Sequence, residues 1–130
     1  DTKTKDLIVV DYKSQASSHP VETDSYLKSG WHQGYKNQMD FYNYLLNSMG
    51  FKTSDTSYFL VVNANRSAEG FNGVMEFSET LIPYKHDTSW IEGKVYEMIT
   101  CINSSKVPKN NPSCEGCAYT RQVFNLIRNK

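Results

Sequence analysis

Asp6 to Tyr12 reads D-L-I-V-V-D-Y, four consecutive apolar residues, three of them β-branched, closed at each end by an acid. Such a run predicts a central strand buried on both faces rather than a half-wet strand or an amphipathic helix. A strand of that kind needs layers on either side of its sheet, so the rest of the chain must supply helices. The periodicity supplies them. Trp31 to Met49 predicts a helix with Tyr35, Met39, Tyr42, Leu45, Leu46 and Met49 on its inner stripe and Gly50 as its stop. Between strand and helix, Ser14 to Ser29 is polar and rich in small residues, which predicts a long loop.

Downstream, Tyr58 to Ala64 predicts a second buried strand, Asn65 to Gly73 a turn region, and Val74 to Pro83 a strand with one wet face. A second helix is predicted from Trp90 to about Asn103, capped by Thr88 or Ser89, with Ile91, Val95, Met98, Ile99 and Ile102 facing inward. Val107 to Pro112 is a proline-containing linker, and a short helix follows near Thr120 to Arg128. The order strand, helix, strand, strand, helix, tail gives an α/β fold, a sheet with helices packed on it.

At 130 residues there is room for one domain, 1–130. Fourteen basic residues balance fourteen acidic ones, which excludes a cationic coat but leaves room for a local phosphate-binding groove. No apolar run approaches the roughly 18 residues a membrane span requires, so no membrane partner is expected. The three cysteines are an odd number, and two form C-x-x-C, which points to a reducing, cytoplasmic compartment rather than a disulfide framework. The chain starts at Asp1 without Met or signal peptide and reaches its apolar run within six residues. The expectation is a piece of a longer protein or a processed product.

The chemistry-bearing residues begin where the first strand ends. Asp11 and Lys13 stand two apart and so point to one side of a strand. A carboxylate is a hard oxygen donor suited to Mg²⁺, and the Tyr12 carbonyl can add a second oxygen. A lysine beside it can orient an attacking water and offset charge on a phosphoryl transition state. Taken alone, the tripeptide also fits a solvated strand end with a surface ion pair. Gln38 and Tyr42, four apart, share a helical face, with Tyr35 and Lys36 one turn earlier. An amide, a hydroxyl and an aromatic face suit a nucleic-acid strand; the same residues also fit an ordinary helix that buries Tyr42 and leaves Gln38 in water. His19 in the loop and His32 at the helix start are further polar candidates.

Taken together, D-Y-K closing an apolar strand, a loop, and then Gln38-x-x-x-Tyr42 on the next helix resembles the PD-(D/E)xK nuclease superfamily. The pattern Ile8 to Ser14, with Cys114, Cys117 and Tyr119 downstream, is similar to the RecB-type exonuclease branch, which includes the CRISPR-associated adaptation nucleases. The resemblance implies a restriction-endonuclease-like core with a mixed central sheet. It also implies Mg²⁺- or Mn²⁺-dependent hydrolysis of DNA phosphodiesters in recombination, repair or defence. Asp11, with the Tyr12 carbonyl, would be the metal ligand, and Lys13 the catalytic lysine. Gln38 and Tyr42 would hold the hydrated metal or the DNA strand. Lys36, Tyr35 and Arg66, with Lys28 and Arg121, are the residues for a phosphate-binding rim.

The chain departs from the family in two places. Members place a further metal-binding Asp on the strand before D-x-K, and neither Asp1 nor Asp6 is placed to serve. A single carboxylate holds Mg²⁺ loosely, so weak or absent activity is expected of these 130 residues alone. A strand left without its neighbour also predicts a homodimer or association with a preceding segment. Cluster-bearing members have a third cysteine six residues after C-x-x-C, and here that position is Val123. An iron–sulfur cluster needs four thiolates and a structural zinc site four ligands, so Cys114 and Cys117 fall short of either within this chain. Two other readings stand beside the nuclease: a catalytically inactive domain of the same fold used for DNA binding or assembly, and a small redox or metal-binding protein built on Cys114 and Cys117.

Overall fold

The computed structural model describes residues 1–70 and 72–128. It divides into two compact units, one from Asp1 to Ile91 and one beginning at Glu92.

In the first unit, strand β1 (Val10–Ser17) is followed by a single helical turn, α1 (Thr23–Tyr26), a 3₁₀ turn (Gly30–His32) and helix α2 (Gln33–Ser48). Strands β2 (Thr56–Asn65) and β3 (Phe77–Lys85) complete a mixed sheet of order β1-β2-β3. β1 runs parallel to β2, from Val10 opposite Tyr58 to Ser17 opposite Asn65. A parallel pair cannot be closed by a tight turn, so α2 is the crossover between them. β2 and β3 are antiparallel, from Thr56 opposite Lys85 to Ala64 opposite Phe77. Pro83 lies in β3, where an edge strand tolerates its missing N–H.

The expected α/β sheet with flanking helices is what forms, but its first strand differs in three ways. The first strand begins four residues later than expected, at Val10, and Leu7 makes only an isolated bridge to Thr53. It then runs on through Ser14, Gln15, Ala16 and Ser17, because pairing with β2 satisfies their backbone groups whatever their side chains. D-Y-K therefore lies near the start of the strand, not at its end. Nor is the strand buried on both faces: Val10 and Tyr12 are more than half exposed, while Asp11, Lys13, Gln15 and Ser17 line the drier side.

Helix α2 starts at Gln33 and stops where expected. Gly50 at φ 88° gives its N–H to Asn47, and Phe51 reaches back to Leu46, the paired bonds of a Schellman stop. Its buried face, however, carries Met39, Asp40 and Asn43, and Tyr42, Leu45 and Met49 of the expected stripe are exposed. The polar residues decide this rotation. Asn43 Nδ2 donates to Met39 O and to Ser57 Oγ on β2, both at 2.9 Å. Met39 packs with Phe59, Val61 and Ile82 in the core, with Val9, Val21, Tyr35 and Tyr84 around them. Each fully buried member contributes about 1.5–3 kcal/mol relative to exposure.

The second unit holds most of α3 (Ile91–Ile102) and α4 (Glu115–Arg128). Val95, Met98, Ile99 and Ile102 are exposed on α3, contrary to their expected inward stripe; Ile91 alone is buried. α4 begins five residues earlier than expected because Cys114 caps it: its Sγ accepts the Cys117 N–H at 3.3 Å, and its carbonyl accepts the Ala118 N–H.

Candidate functional site

Alternation along β1 sets Asp11 and Lys13 on the face that α2 covers. The register places Asp11 in one row with Phe59 and Ile82, and Lys13 in the next with Val61 and Thr80. Phe59, Val61 and Ile82 are almost wholly buried, so the acid and the amine lean on the core at its β1 edge. The side chains of Lys13 and Asp11 retain 15% and 16% exposure. Charges so placed cost free energy unless they are paired.

They are paired, and the pairing extends to α2. Lys13 Nζ lies 2.8 Å from Asp11 Oδ2 and donates to Gln38 Oε1 at 2.8 Å. The same ammonium sits 4.2 Å from the centre of the Tyr35 ring, a cation–π contact. Gln38 Nε2 in turn donates to Tyr42 Oη. The structure thus brings Asp11, Lys13, Gln38, Tyr42 and Tyr35 into one connected group. The Asp11–Lys13 contact is one of charge: Oδ2 is buried, yet no donor is aligned on it. A buried carboxylate oxygen left in this state suits a hard cation. Val9 O bonds to Tyr58 N on β2, so strand alternation sends the Tyr12 carbonyl to the outer edge of β1.

Behind the group, Tyr35 continues an aromatic stack. His32 lies between Tyr26 and Tyr35, with ring centres 4.1 and 5.1 Å away, and its Nδ1 approaches Tyr26 O. His32 is thereby held in a stack, and His19 lies exposed beyond the end of β1. Lys36 is half-buried on α2. Arg66 is exposed in the turn after β2, seven residues past the partner of Asp11, roughly 23 Å along the strand. It is therefore not beside the Asp11–Lys13 group. Asp6 is occupied elsewhere, paired with Lys52 at 3.0 Å.

Two features escaped the sequence reading. Asp40 is 3% exposed and has no cationic partner among the described residues; Oδ1 accepts Tyr84 Oη and the Asp87 N–H, each at 3.0 Å, and Oδ2 accepts Trp90 Nε1 at 2.9 Å. It ties α2 to β3 and to the segment before α3. The only sequence signal is an acid inside the apolar arc of a helix. The second is a polar row beyond Lys13, in which Gln15 Nε2 donates to Asn63 Oδ1 at 3.3 Å and Asn63 Nδ2 to Ser17 O at 3.2 Å.

Cys101, Cys114 and Cys117 are all free thiols. The Cys117 N–H, and then the Cys117 side chain, hold the Cys114 thiol below its usual value, while the hydrogen bond to Cys114 pushes Cys117 up. Among the described residues, no three His, Cys, Asp or Glu side chains are grouped to hold a metal. Among them, too, no helix is long and apolar enough to cross a membrane.

The family model of the PD-(D/E)XK nuclease superfamily matches residues 1–122. The chain belongs to the PD-(D/E)XK nuclease superfamily. The match spans the three-stranded sheet, α2 and the D-Y-K strand, and the mixed sheet with flanking helices agrees with a restriction-endonuclease-like core. Neither the curated proteins nor the solved structures gave a match to this chain. Nucleases of the PD-(D/E)XK superfamily generally use divalent metals.

Proposed function

We propose that the group around Asp11 and Lys13 is a nuclease site for DNA, of the RecB-type exonuclease kind. The observation that carries it is the Lys13 ammonium held between Asp11, Gln38 and Tyr35, next to a buried carboxylate oxygen with no aligned donor. Asp11, with the Tyr12 carbonyl, would hold Mg²⁺ or Mn²⁺. Such an ion supplies Lewis acidity toward the phosphodiester oxygens. Lys13 has three N–H donors; one goes to Gln38, and the contact with Asp11 is one of charge with no donor aligned, which leaves donors for an attacking water or a phosphate oxygen. Gln38 fixes that geometry, and Tyr42 fixes Gln38. Lys36 would add positive charge for the strand, in a recombination, repair or defence setting within a reducing compartment.

One carboxylate is half a metal site, so cleavage by this chain alone is slow. The test is hydrolysis of labelled DNA in Mn²⁺ or Mg²⁺. A slow activity is expected that EDTA and Lys13→Ala each remove. Cleavage that survives Lys13→Ala overturns the assignment of Lys13, and fast cleavage overturns the argument from the single carboxylate. The lack of a three-ligand group among the described residues favours a second reading, a catalytically inactive nuclease-like domain for DNA binding or assembly. Its signature is DNA binding without cleavage under any divalent ion.

β1 is the edge of the sheet among the described residues, and its outer backbone groups are free to pair. A strand from a second copy or from a preceding segment fits there. Sedimentation across a range of concentrations tests the homodimer; a monomer at the highest concentration excludes it.

A further inference from the structure

Cys114 and Cys117 meet at the start of α4. Cys114 is fixed from both sides: its N–H closes a turn onto Asn111 O at 3.0 Å, and its carbonyl accepts the Ala118 N–H at 3.0 Å. It is therefore the capping residue, and Cys117 stands three positions in, where the two side chains can meet. Cys114 Sγ accepts the Cys117 N–H at 3.3 Å, and the two thiols hydrogen-bond through their side chains. Both are free and half-buried. A Cβ on Gly116 would lie 4.0 Å from Cys114 Sγ, so glycine leaves the sulfur open on that side.

Capping alone does not account for this pair. Sulfur is a weak acceptor, and Ser, Thr, Asp or Asn caps a helix better. Nor does a metal account for it, since no third ligand joins the two cysteines among the described residues. The arrangement suits exchange with a disulfide. The helix start and the Cys117 N–H favour a thiolate at Cys114, and a second thiol stands in reach to displace whatever Cys114 captures.

The surroundings select the kind of disulfide. Thr120, Arg121, Phe124 and Asn125 wall a cleft of about 580 Å³ beside both cysteines, inside the range of about 300–1,000 Å³ for small-molecule pockets. Cys117, Arg121 and Phe124, spaced by four and three, share one face of α4. Arg121 has no ion-pair partner among the described residues, and a guanidinium recognises a carboxylate.

We propose that Cys114 and Cys117 are a thiol–disulfide exchange site for a small, carboxylate-bearing disulfide of the glutathione class. The Cys114 thiol gives its proton to solvent, and the thiolate attacks one sulfur of oxidised glutathione. The S–S bond breaks, and the first glutathione leaves as a thiolate that takes up a proton. Cys117 then loses its proton and attacks Cys114 Sγ, and the second glutathione leaves in the same way. Two protein thiols are oxidised by two electrons to one disulfide, and one small disulfide is reduced to two thiols. The site needs nothing from Asp11 or Lys13.

The experiment treats the full chain with excess oxidised glutathione and follows both cysteines by peptide-resolved mass spectrometry. Wild type gains the internal disulfide. Cys117→Ser stops at a mixed disulfide on Cys114, and Cys114→Ser reacts at Cys117 about tenfold more slowly than wild type reacts at Cys114. Arg121→Gln reacts about threefold more slowly with oxidised glutathione, and loses less with hydroxyethyl disulfide, which has no carboxylate. Thermal unfolding of each variant is compared with wild type to check its fold. If wild type keeps both thiols, carries glutathione without closing the internal bond, or is captured first at Cys117, the exchange site is overturned. If Arg121→Gln slows both disulfides alike, the carboxylate-bearing substrate is overturned.

Discussion

Gln38 Oε1 accepts a hydrogen bond from Lys13 Nζ at 2.8 Å, and this contact decides which way the Gln38 amide points. A lysine only donates, so the amide oxygen must face it and Nε2 must face Tyr42. One bond thereby couples β1 to α2 and aligns the ammonium toward Asp11. Gln38→Leu removes the acceptor and frees Lys13 to swing. Cleavage is expected to fall about tenfold to a hundredfold in kcat, with DNA affinity changed little. An unaltered kcat would reduce the contact to packing.

Tyr35 acts on the same amine through its ring face, 4.2 Å from Nζ. Tyr35→Phe keeps that face, and Tyr35→Leu removes it. The expected order of cleavage rates is therefore wild type and Tyr35→Phe together, with Tyr35→Leu severalfold lower. Equal loss in both variants would assign the effect to the hydroxyl instead.

Asp40 accepts three hydrogen bonds while nearly inaccessible to water. Asp40→Ala leaves the Tyr84 hydroxyl, the Asp87 amide and the Trp90 indole without their acceptor. The expected cost is about 3 kcal/mol, read as a lowered urea midpoint with an unchanged slope. Asp40→Asn keeps an acceptor and costs less. Loss of DNA cleavage without loss of stability would show a role beyond scaffolding.

Tyr84 carries the pH consequence of that bond. Burial first, then its hydrogen bond to Asp40 and the Asp40 and Asp87 charges, push the hydroxyl well above its usual value. The folded state therefore holds this proton more tightly than the unfolded chain. Below about pH 10, where the unfolded tyrosine is protonated, the contribution is fully present; it declines as pH rises beyond that. Urea unfolding across the alkaline range should show this decline, and Tyr84→Phe should flatten it. An identical profile in the variant would place the alkaline loss on other groups.

The sequence made part of this site readable because some relations are local. That Asp11 and Lys13 share a side follows from any extended backbone, and that Gln38 and Tyr42 share a face follows from any helix. What turned β1 and α2 into place was not local. Ser14, Gln15 and Ser17 are polar and the segment Ser14–Ser17 reads as loop, yet it pairs in register with Val62–Asn65, 48 residues on. The rotation of α2 is set by Asn43 and Asp40, whose partners lie 14, 44 and 50 residues away. A hydrophobic stripe cannot show that two polar side chains displace Leu45 and Met49 from the sheet. Trp90 and Ser57 show nothing in sequence of the acceptor and donor that they meet.

The thiols at the start of α4 offer a test away from the nuclease group. Cys114 Sγ accepts the Cys117 N–H at 3.3 Å, a bond that stabilises a thiolate more than a thiol. That amide, then the Cys117 side chain, with Arg121 a weaker influence, hold Cys114 below its usual value. Cys117, whose thiol hydrogen-bonds to Cys114 through its side chain, is pushed above it. Iodoacetamide attacks thiolates, so alkylation of Cys114 should reach its half-maximal rate below the usual thiol pKa of about 8.5. Cys117 should lag. Peptide-resolved mass spectrometry at a series of pH values gives both rates from one sample. The geometry at the helix start predicts Cys114 before Cys117, and Cys117→Ala should move the Cys114 midpoint up by less than removal of the backbone N–H would. If Cys114 titrates with or after Cys117, the cap bond does not hold in solution, and α4 starts without help from its thiol.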